Sequence, residues 1–196
     1  LLESVKIKDG SVYNIDYHNL RLNQSRKIIF GSKNLINLKD FININPNLKG
    51  IYKCRIFCSN EIEKVEISSY VMRSISLVKI VRDDEIDYSY KLADKSNLER
   101  LLDKKDRADE ILIVKNGFVT DSSFSNVIFF DGTKYFTPST PLLKGTKRQK
   151  YLDEKKIFED GIKLEDIKKF KFIQFINAMI DIEDNLKIPI ENIIDR

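Results

Sequence analysis

Tight-turn dipeptides punctuate this chain, and each lies between short apolar runs of strand length. They are Asp9-Gly10, Asn116-Gly117 and Asp131-Gly132. Because Asx-Gly pairs readily adopt the positive φ angles of short hairpin turns, each dipeptide predicts an antiparallel hairpin. The first hairpin is expected to join Ser4–Lys8 to Val12–Ile15. A purely helical fold is therefore excluded.

Helical patterns alternate with these hairpins. A helix is predicted over Tyr17–Phe30, with Gly31 as its C-cap and with Leu20, Ile28 and Ile29 on its core face. Ser96-Asn97-Leu98-Glu99 has capping-box spacing and predicts a second helix, ending near Lys104. The remaining predicted helices are Thr146–Lys156 and Leu164–Phe170, and the remaining extended segments are Ile51–Phe57, Ile62–Ser69, Val71–Ile80, Glu110–Val114, Phe118–Thr120, Asn126–Phe130, Tyr135–Thr137 and Phe172–Ile176. This alternation predicts an α+β fold.

One segment lacks any periodicity. Arg82–Tyr90 is acidic and aromatic, which predicts a linker at 83–90 between an N-terminal α+β lobe, 1–82, and a C-terminal β-rich lobe, 91–196. With 42% hydrophobic residues, the 196-residue chain can bury a sizeable core, so wholesale disorder is excluded. No apolar run approaches the roughly 20 residues of a membrane helix, and no secretory leader is visible. We therefore expect a cytoplasmic protein without membrane contact.

Charge and cysteine content narrow the possible partners. The 34 basic and 30 acidic residues give a net charge of +4 with the signs interspersed, which favours small anionic ligands and not nucleic acid. Cys54 and Cys58 lie in a strand-like run without partner cysteines, and the lone His18 is remote in sequence. We therefore expect two core thiols, no disulfide and no metal site.

The first candidate reactive group is a lysine. Lys91 lies within Tyr88-Ser89-Tyr90-Lys91-Leu92-Ala93, directly after the acidic stretch. Aromatic packing can lower the pKa of a lysine, and the neutral amine can then form a Schiff base. The alternative is an ordinary solvated lysine, since the chain has many.

Other candidates could hold an anion or a cationic ring. Asp121 precedes an apolar strand, where neighbouring hydroxyls and amides would keep its carboxylate ionised, although it could be a turn residue. Gly145 precedes a predicted helix whose free N–H groups could bind phosphate, and its missing side chain would allow close approach, although an ordinary glycine turn before a basic helix is an equal alternative. His18 and Arg21 share one helix face. The arginine could bind an anion or be an exposed helix charge, and the histidine is expected to be a hydrogen-bonded core residue.

These segments together resemble the class IV aminotransferase family, which includes D-amino-acid and branched-chain aminotransferases and aminodeoxychorismate lyase. The resemblance rests on the order and spacing of short motifs along nearly the whole chain, namely Leu2-Glu3-Ser4-Val5 with Asp9-Gly10, Tyr17-His18-Asn19-Leu20-Arg21-Leu22, Asp121-Ser122-Ser123-Phe124-Ser125-Asn126-Val127, Thr137-Pro138 and Leu143-Lys144-Gly145-Thr146-Lys147-Arg148. It implies the two-lobed fold of D-amino-acid aminotransferase. It also implies that the protein uses pyridoxal 5′-phosphate as its cofactor.

The resemblance also implies a role for each matching residue. Lys91 matches the Schiff-base lysine and proton shuttle, and Asp121 matches the glutamate that pairs with the pyridine nitrogen, one methylene shorter here. Arg21 matches the phosphate-gripping arginine. The remaining implied contacts to the cofactor come from Gly145, the backbone N–H groups of Thr146 and Lys147, and a second phosphate turn at Asn177-Ala178.

The resemblance leaves the reaction open. The short chain and the context of Lys91 resemble small bacterial proteins regarded as aminodeoxychorismate lyases, which release pyruvate to form 4-aminobenzoate, a folate precursor. An amino-acid aminotransferase of branched-chain or D-amino-acid type is the alternative. The Asp-for-Glu change keeps open a non-catalytic cofactor-binding homologue, and an unrelated α+β binding module also stays open. The resemblance further implies a homodimer acting on a small anionic amine or amino acid.

Overall fold

A computed structural model describes residues 1–195, and the chain forms two compact units. The first comprises Leu1–Met72 and Tyr90–Ala93, and the second comprises Arg73–Ser89 and the chain from Asp94 onward. The sequence assigned Val78–Arg82 to the first lobe, but in the structure this strand belongs to the second unit because it pairs in parallel with Glu110–Lys115. Tyr90–Ala93, which the sequence divided between the linker and the second lobe, belongs to the first unit.

The first unit is an antiparallel sheet with one long helix. Its elements are β1 (Leu2–Lys8), β2 (Ser11–Val12), α1 (Ile15–Phe30), a 3₁₀ helix (Leu38–Phe41), β3 (Ile51–Cys58) and β4 (Ile62–Ser69), and the strand order is β2-β1-β3-β4. The predicted hairpin at Asp9-Gly10 is confirmed by the pairing of β1 with β2. Gly31 ends α1 with φ of 68°, as predicted. Cys54 and Cys58 are buried free thiols, also as predicted.

The core face of α1 differs from the prediction. Leu20, Ile28 and Ile29 are 57%, 65% and 38% exposed, so they do not form a core face. The buried residues of α1 are His18, Leu22, Ser25 and Arg26. Two of these polar side chains have partners within the unit: His18 contacts Glu3, and Arg26 donates to the carbonyl oxygens of Asn34 and Asn60. Hydrogen bonding rather than apolarity selects the buried face here, which a hydropathy pattern does not detect.

The second unit contains two sheets. Its strands are β5 (Val78–Arg82), β6 (Glu110–Lys115), β7 (Phe118–Val119), β8 (Asn126–Phe130), β9 (Tyr135–Pro138), β10 (Phe158–Asp160), β11 (Phe172–Ile176), β12 (Ile188–Pro189) and β13 (Ile193–Ile194). One sheet has the order β13-β5-β6-β7 and the other has the order β10-β9-β8-β11-β12. Apolar side chains of both sheets share one core, which includes Val78, Leu112, Val127, Phe129, Ile173 and Phe175. The predicted hairpins at Asn116-Gly117 and Asp131-Gly132 are confirmed.

Two helices of the second unit are shorter than predicted. The helix α2 spans Ser96–Leu102, but Lys95 is its N-cap and no side-chain capping bond forms. The predicted capping box is therefore wrong; instead, Asp94 accepts a hydrogen bond from the Ser96 N–H at 2.9 Å. The helix α3 spans Thr146–Asp153, and Lys155 follows in the left-handed region with φ of 55°. The α+β fold class is confirmed, and among residues 1–195 no helix is long and apolar enough to cross a membrane.

Candidate active site

A buried charged cluster joins β1 to α1 in the first unit. The Glu3 carboxylate lies 2.6 Å from His18 Nδ1 and accepts two hydrogen bonds from Arg21, at 2.9 Å from Nε and 2.6 Å from Nη2. The bidentate contact fixes the plane of the guanidinium. His18 is a buried, hydrogen-bonded histidine, as predicted, and Arg21 points inward to Glu3.

Burial and charge act in opposite directions on this cluster. Burial raises the pKa of Glu3, but the charge of Arg21 and the contacts with His18 outweigh it and lower that pKa to about 2. Burial lowers the pKa of His18, an effect only partly offset by its hydrogen bond to Glu3. We therefore assign His18 as neutral, with Nδ1–H donating to an ionised Glu3.

Lys91 lies close to this cluster. Its carbonyl oxygen accepts the Leu2 N–H at 2.8 Å, which holds the Lys91 backbone at the start of β1, next to Glu3. The positive charge of Lys91 contributes to lowering the pKa of His18. The first unit therefore brings together two of the predicted site residues, Lys91 and Arg21.

Asp121 is the buried acid of the second unit. It opens the loop 121–126, called the acid loop below, and forms an isolated β-bridge with Asn126. Its carboxylate accepts the Asn126 Nδ2–H at 2.7 Å and the Leu143 N–H at 3.0 Å. Burial raises the pKa of Asp121 to about 6, although these hydrogen bonds and the charge of Arg148 act to lower it. The carboxylate is therefore largely ionised at neutral pH.

The partners of Asp121 differ from the prediction in one respect. Amide groups hold the carboxylate, but the neighbouring hydroxyls do not, because Ser122 Oγ and Ser125 Oγ lie 2.9 Å apart and bond to each other. The Nδ2 of Asn126 makes two hydrogen bonds, because besides Asp121 it also donates to the Leu143 carbonyl oxygen, at 2.8 Å. The same carboxamide thus links the acid loop to the segment that precedes α3.

Gly145 is required by protein packing. A Cβ atom at this position would lie 2.0 Å from Asn126 Oδ1, closer than any real contact. The prediction explained this glycine by the close approach of a ligand, but the structure shows a protein side chain occupying the space that a Cβ would need. Gly145 stays a predicted cofactor contact through its backbone.

The predicted phosphate-binding turns lie in the second unit. Thr146 and Lys147 begin α3, where backbone N–H groups lack intrahelical acceptors. The Lys147 ammonium forms an ion pair with Asp181. Asn177 Oδ1 accepts the N–H groups of Met179 and Ile180, at 2.8 and 3.1 Å, and so closes the turn that contains half-buried Ala178. Phosphate binding by these turns stays a prediction.

Sequence reasoning assigned no role to Glu3 and Asn126, although it quoted both within motifs. Glu3 shares one face of β1 with Val5 and Ile7, which are fully buried. An acid at the first position of an otherwise apolar alternation was the available signal, because a buried carboxylate requires a partner.

Comparison with known proteins defines the class of protein. Residues 93–183 match the sequence profile of the family described as amino-transferase class IV. A crystal structure from Haemophilus somnus 129pt, provisionally assigned as a 4-amino-4-deoxychorismate lyase, is 34% identical, covers 91% of this chain and 95% of its own, and superposes with a TM-score of 0.86. The chain therefore belongs to the class IV aminotransferase family.

Other relatives extend this result. An uncharacterized Haemophilus influenzae protein is 38% identical over 182 residues, which are 91% of this chain and 97% of that protein. A Mycobacterium tuberculosis protein, a hypothetical aminotransferase in its PLP-bound form, shares 16% identity and a TM-score of 0.77, with 98% of this chain and 80% of that chain covered. This last similarity concerns the fold, which is confirmed as that of the family.

The donor set of each unit fits pyridoxal 5′-phosphate, on which this family depends. Asp121 is a buried acid with a raised pKa, and a cationic ring nitrogen beside it would stabilise the carboxylate and lower that pKa. Arg21 uses Nε and Nη2 for Glu3, and no acceptor among residues 1–195 contacts its Nη1, which could serve an anion. The other predicted cofactor contacts are Lys91 in the first unit and the N-terminus of α3 in the second unit.

Proposed function

We propose that this protein is a pyridoxal 5′-phosphate-dependent lyase that releases pyruvate from 4-amino-4-deoxychorismate and forms 4-aminobenzoate. The cofactor requirement is supported by the buried, amide-held carboxylate of Asp121. The choice of lyase is supported by the Haemophilus somnus relative, because it matches this chain over nearly its full length. An amino-acid aminotransferase is the alternative reaction within the same family.

Each residue has a defined task in this proposal. The bound cofactor supplies a cationic ring that withdraws electrons from the reacting substrate carbon. Asp121 would accept the ring N–H and keep that nitrogen protonated. Arg21 and the first N–H groups of α3, at Thr146 and Lys147, would hold the phosphate and so restrain the ring.

Lys91 is the proposed catalytic residue. Its ε-amine would hold the cofactor through the cofactor's aldehyde group and would carry the proton that is moved at the substrate carbon. The charge of Lys91 contributes to lowering the pKa of His18, so the amine lies within electrostatic reach of the cluster formed by Glu3, His18 and Arg21.

Two assays separate the alternatives. The purified protein with added cofactor is expected to form 4-aminobenzoate and pyruvate from aminodeoxychorismate and to show no amino transfer to 2-oxoglutarate. Amino transfer without 4-aminobenzoate formation would reverse the assignment.

A Lys91→Ala variant should lose both the yellow colour and the absorbance change on borohydride treatment, whereas Lys104→Ala, at an exposed position, should keep them. A protein that stays colourless with added cofactor would favour the binding-module alternative.

Two further expectations belong to the same proposal. We propose a homodimer located in the cytoplasm, by analogy with the family. Analytical ultracentrifugation at micromolar concentration should give twice the chain mass of 22.9 kDa, and a monomer would contradict the dimer.

A further inference from the structure

The acid loop is a tight hairpin whose base and tip are held separately. At its base, Asp121 and Asn126 form the bridge described above. Above the base, the Ser122 N–H donates to the Ser125 carbonyl oxygen at 2.9 Å. The tip therefore consists of Ser123 and Phe124. The contacts at the tip involve a second buried acid that has no role in the proposed reaction.

That second acid is Glu110, the first residue of β6. It is fully buried, and its Oε1 accepts the Ile111 N–H at 2.9 Å and the Ser123 N–H at 3.2 Å. The second of these bonds ties the tip of the acid loop to the start of a core strand. A buried carboxylate is costly without charged or hydrogen-bonding partners, so this geometry requires a stabilising contact at the other oxygen.

Arg73 supplies that contact from the solvent side. Its Nη2 lies 3.2 Å from Glu110 Oε2, and its guanidinium carbon lies 4.6 Å from the centre of the Phe124 ring. The side chain of Arg73 is 56% exposed, so it covers the tip from outside while Glu110 holds it from inside. Phe124 also packs edge-on against Phe175, with ring centres 5.7 Å apart, so its ring contacts both the core and the arginine.

We propose that the Glu110–Arg73 pair is a positioning device for the acid loop: it fixes Ser123 and Phe124 and thereby fixes the direction of the Asp121 carboxylate. The inference rests on the proposed cofactor role of Asp121. Asp121 is one methylene shorter than the glutamate of the family motif, so its reach depends more strongly on the backbone that carries it. The pair acts through the loop and touches neither substrate nor cofactor.

A hydrogen bond from Asn177 connects the tip of the acid loop to a second part of the predicted cofactor site. The Asn177 Nδ2–H donates to the Phe124 carbonyl oxygen at 3.5 Å, a long hydrogen bond. The tip of the acid loop is therefore adjacent to the turn predicted to bind phosphate. A displaced tip would disturb both the ring-nitrogen contact and this turn, so cofactor affinity should fall along with turnover.

The test compares Arg73→Ala with a matched control. Arg100→Ala removes a similarly exposed arginine, 52% against 56%, from an ion pair with Asp83 in the same unit. Hydrogen exchange of the acid-loop amides is measured in the cofactor-free protein, and the dissociation constant of pyridoxal 5′-phosphate is measured by absorbance titration. Glu110→Gln is the second variant, because glutamine keeps the acceptor for the Ser123 N–H but loses the charge.

We expect Arg73→Ala to accelerate exchange at Phe124 and Ser125 and to weaken cofactor binding, each about tenfold, the scale of one charge-assisted hydrogen bond. Arg100→Ala should stay within about twofold of the wild type. Glu110→Gln should accelerate loop exchange less than Arg73→Ala, because Arg73 stays against the Phe124 ring and no buried charge is left without its partner. Equal exchange rates and affinities in Arg73→Ala and Arg100→Ala would overturn the inference. A wild-type protein that binds no cofactor would refute the proposed function, and the exchange data would still decide whether the pair holds the loop.

Discussion

The ionisation of Asp121 should make the cofactor-free protein less stable as the pH rises. Burial raises the pKa of this carboxyl from 3.8 to about 6. Well below pH 4 the group is protonated in both the folded and the unfolded chain, so it contributes no difference. Above pH 6 it must ionise inside the protein, which costs about 3 kcal/mol at 1.36 kcal/mol per pKa unit.

The sign follows from proton binding. A raised pKa in the folded state means that the folded chain binds more protons than the unfolded chain between about pH 4 and 6. The free energy of unfolding therefore falls as pH rises through this interval. Asp121→Asn removes the ionisation, so the variant should lack this loss. The carboxamide cannot accept from both Asn126 Nδ2 and the Leu143 N–H, and this cost does not depend on pH.

Urea unfolding of both cofactor-free proteins at pH 4, 5, 6 and 8 checks the prediction. Between pH 4 and 8, the stability of Asp121→Asn relative to the wild type should increase by about 2.5 kcal/mol. Asp103→Asn, which changes an exposed acid, is unfolded under the same conditions as the matched control. A constant difference for Asp121→Asn would refute the placement of an ionisable, buried carboxyl at this position.

Three further predictions concern the same two units. The pKa of Glu3 is lowered to about 2, so this carboxylate stabilises the fold above pH 4.5 and the stabilisation is lost as pH falls toward 2. In urea unfolding, Glu3→Gln should therefore lower the free energy of unfolding by about 3 kcal/mol at pH 7 and by much less at pH 2. Equal losses at both pH values would contradict the ion pair with Arg21. Gly145→Ala should lower the melting temperature and weaken cofactor binding about tenfold, because its Cβ must displace the Asn126 carboxamide; unchanged values would show that the loop accommodates a side chain freely. Arg26→Ala should cost about 3 kcal/mol in thermal unfolding by leaving the carbonyl oxygens of Asn34 and Asn60 without their donor, and a loss below about 1 kcal/mol would mean that water replaces it.

The sequence predicted local structure well wherever one strong signal acted alone. Asx-Gly turns located the hairpins, and Gly31 located the end of α1. It failed where several weak preferences competed, as at Ser96, where the Asp94 side chain takes the N–H that a capping box would use. It also failed on α1, because the buried polar face depends on acceptors that are distant in sequence, such as Asn60.

The candidate site could be predicted as a set of residues but not as a geometry. Motif order selected Lys91, Arg21 and Asp121 because each residue type suits its chemistry. Sequence spacing does not show that Glu3 occupies two donors of Arg21, or that Asn126 fills the space beside Gly145. Both facts arise from contacts between distant segments, and only the folded chain specifies them.

The two cysteines described in the first unit have a practical consequence. Cys54 and Cys58 are the chain's entire complement of thiols; both are buried in the same core, and burial raises the pKa of Cys54 to about 11. Neither thiol reacts readily while that core is closed. The rate at which a sulfhydryl-reactive dye labels the protein would therefore measure how often the first unit opens. Local opening of the second unit alone would not change this rate.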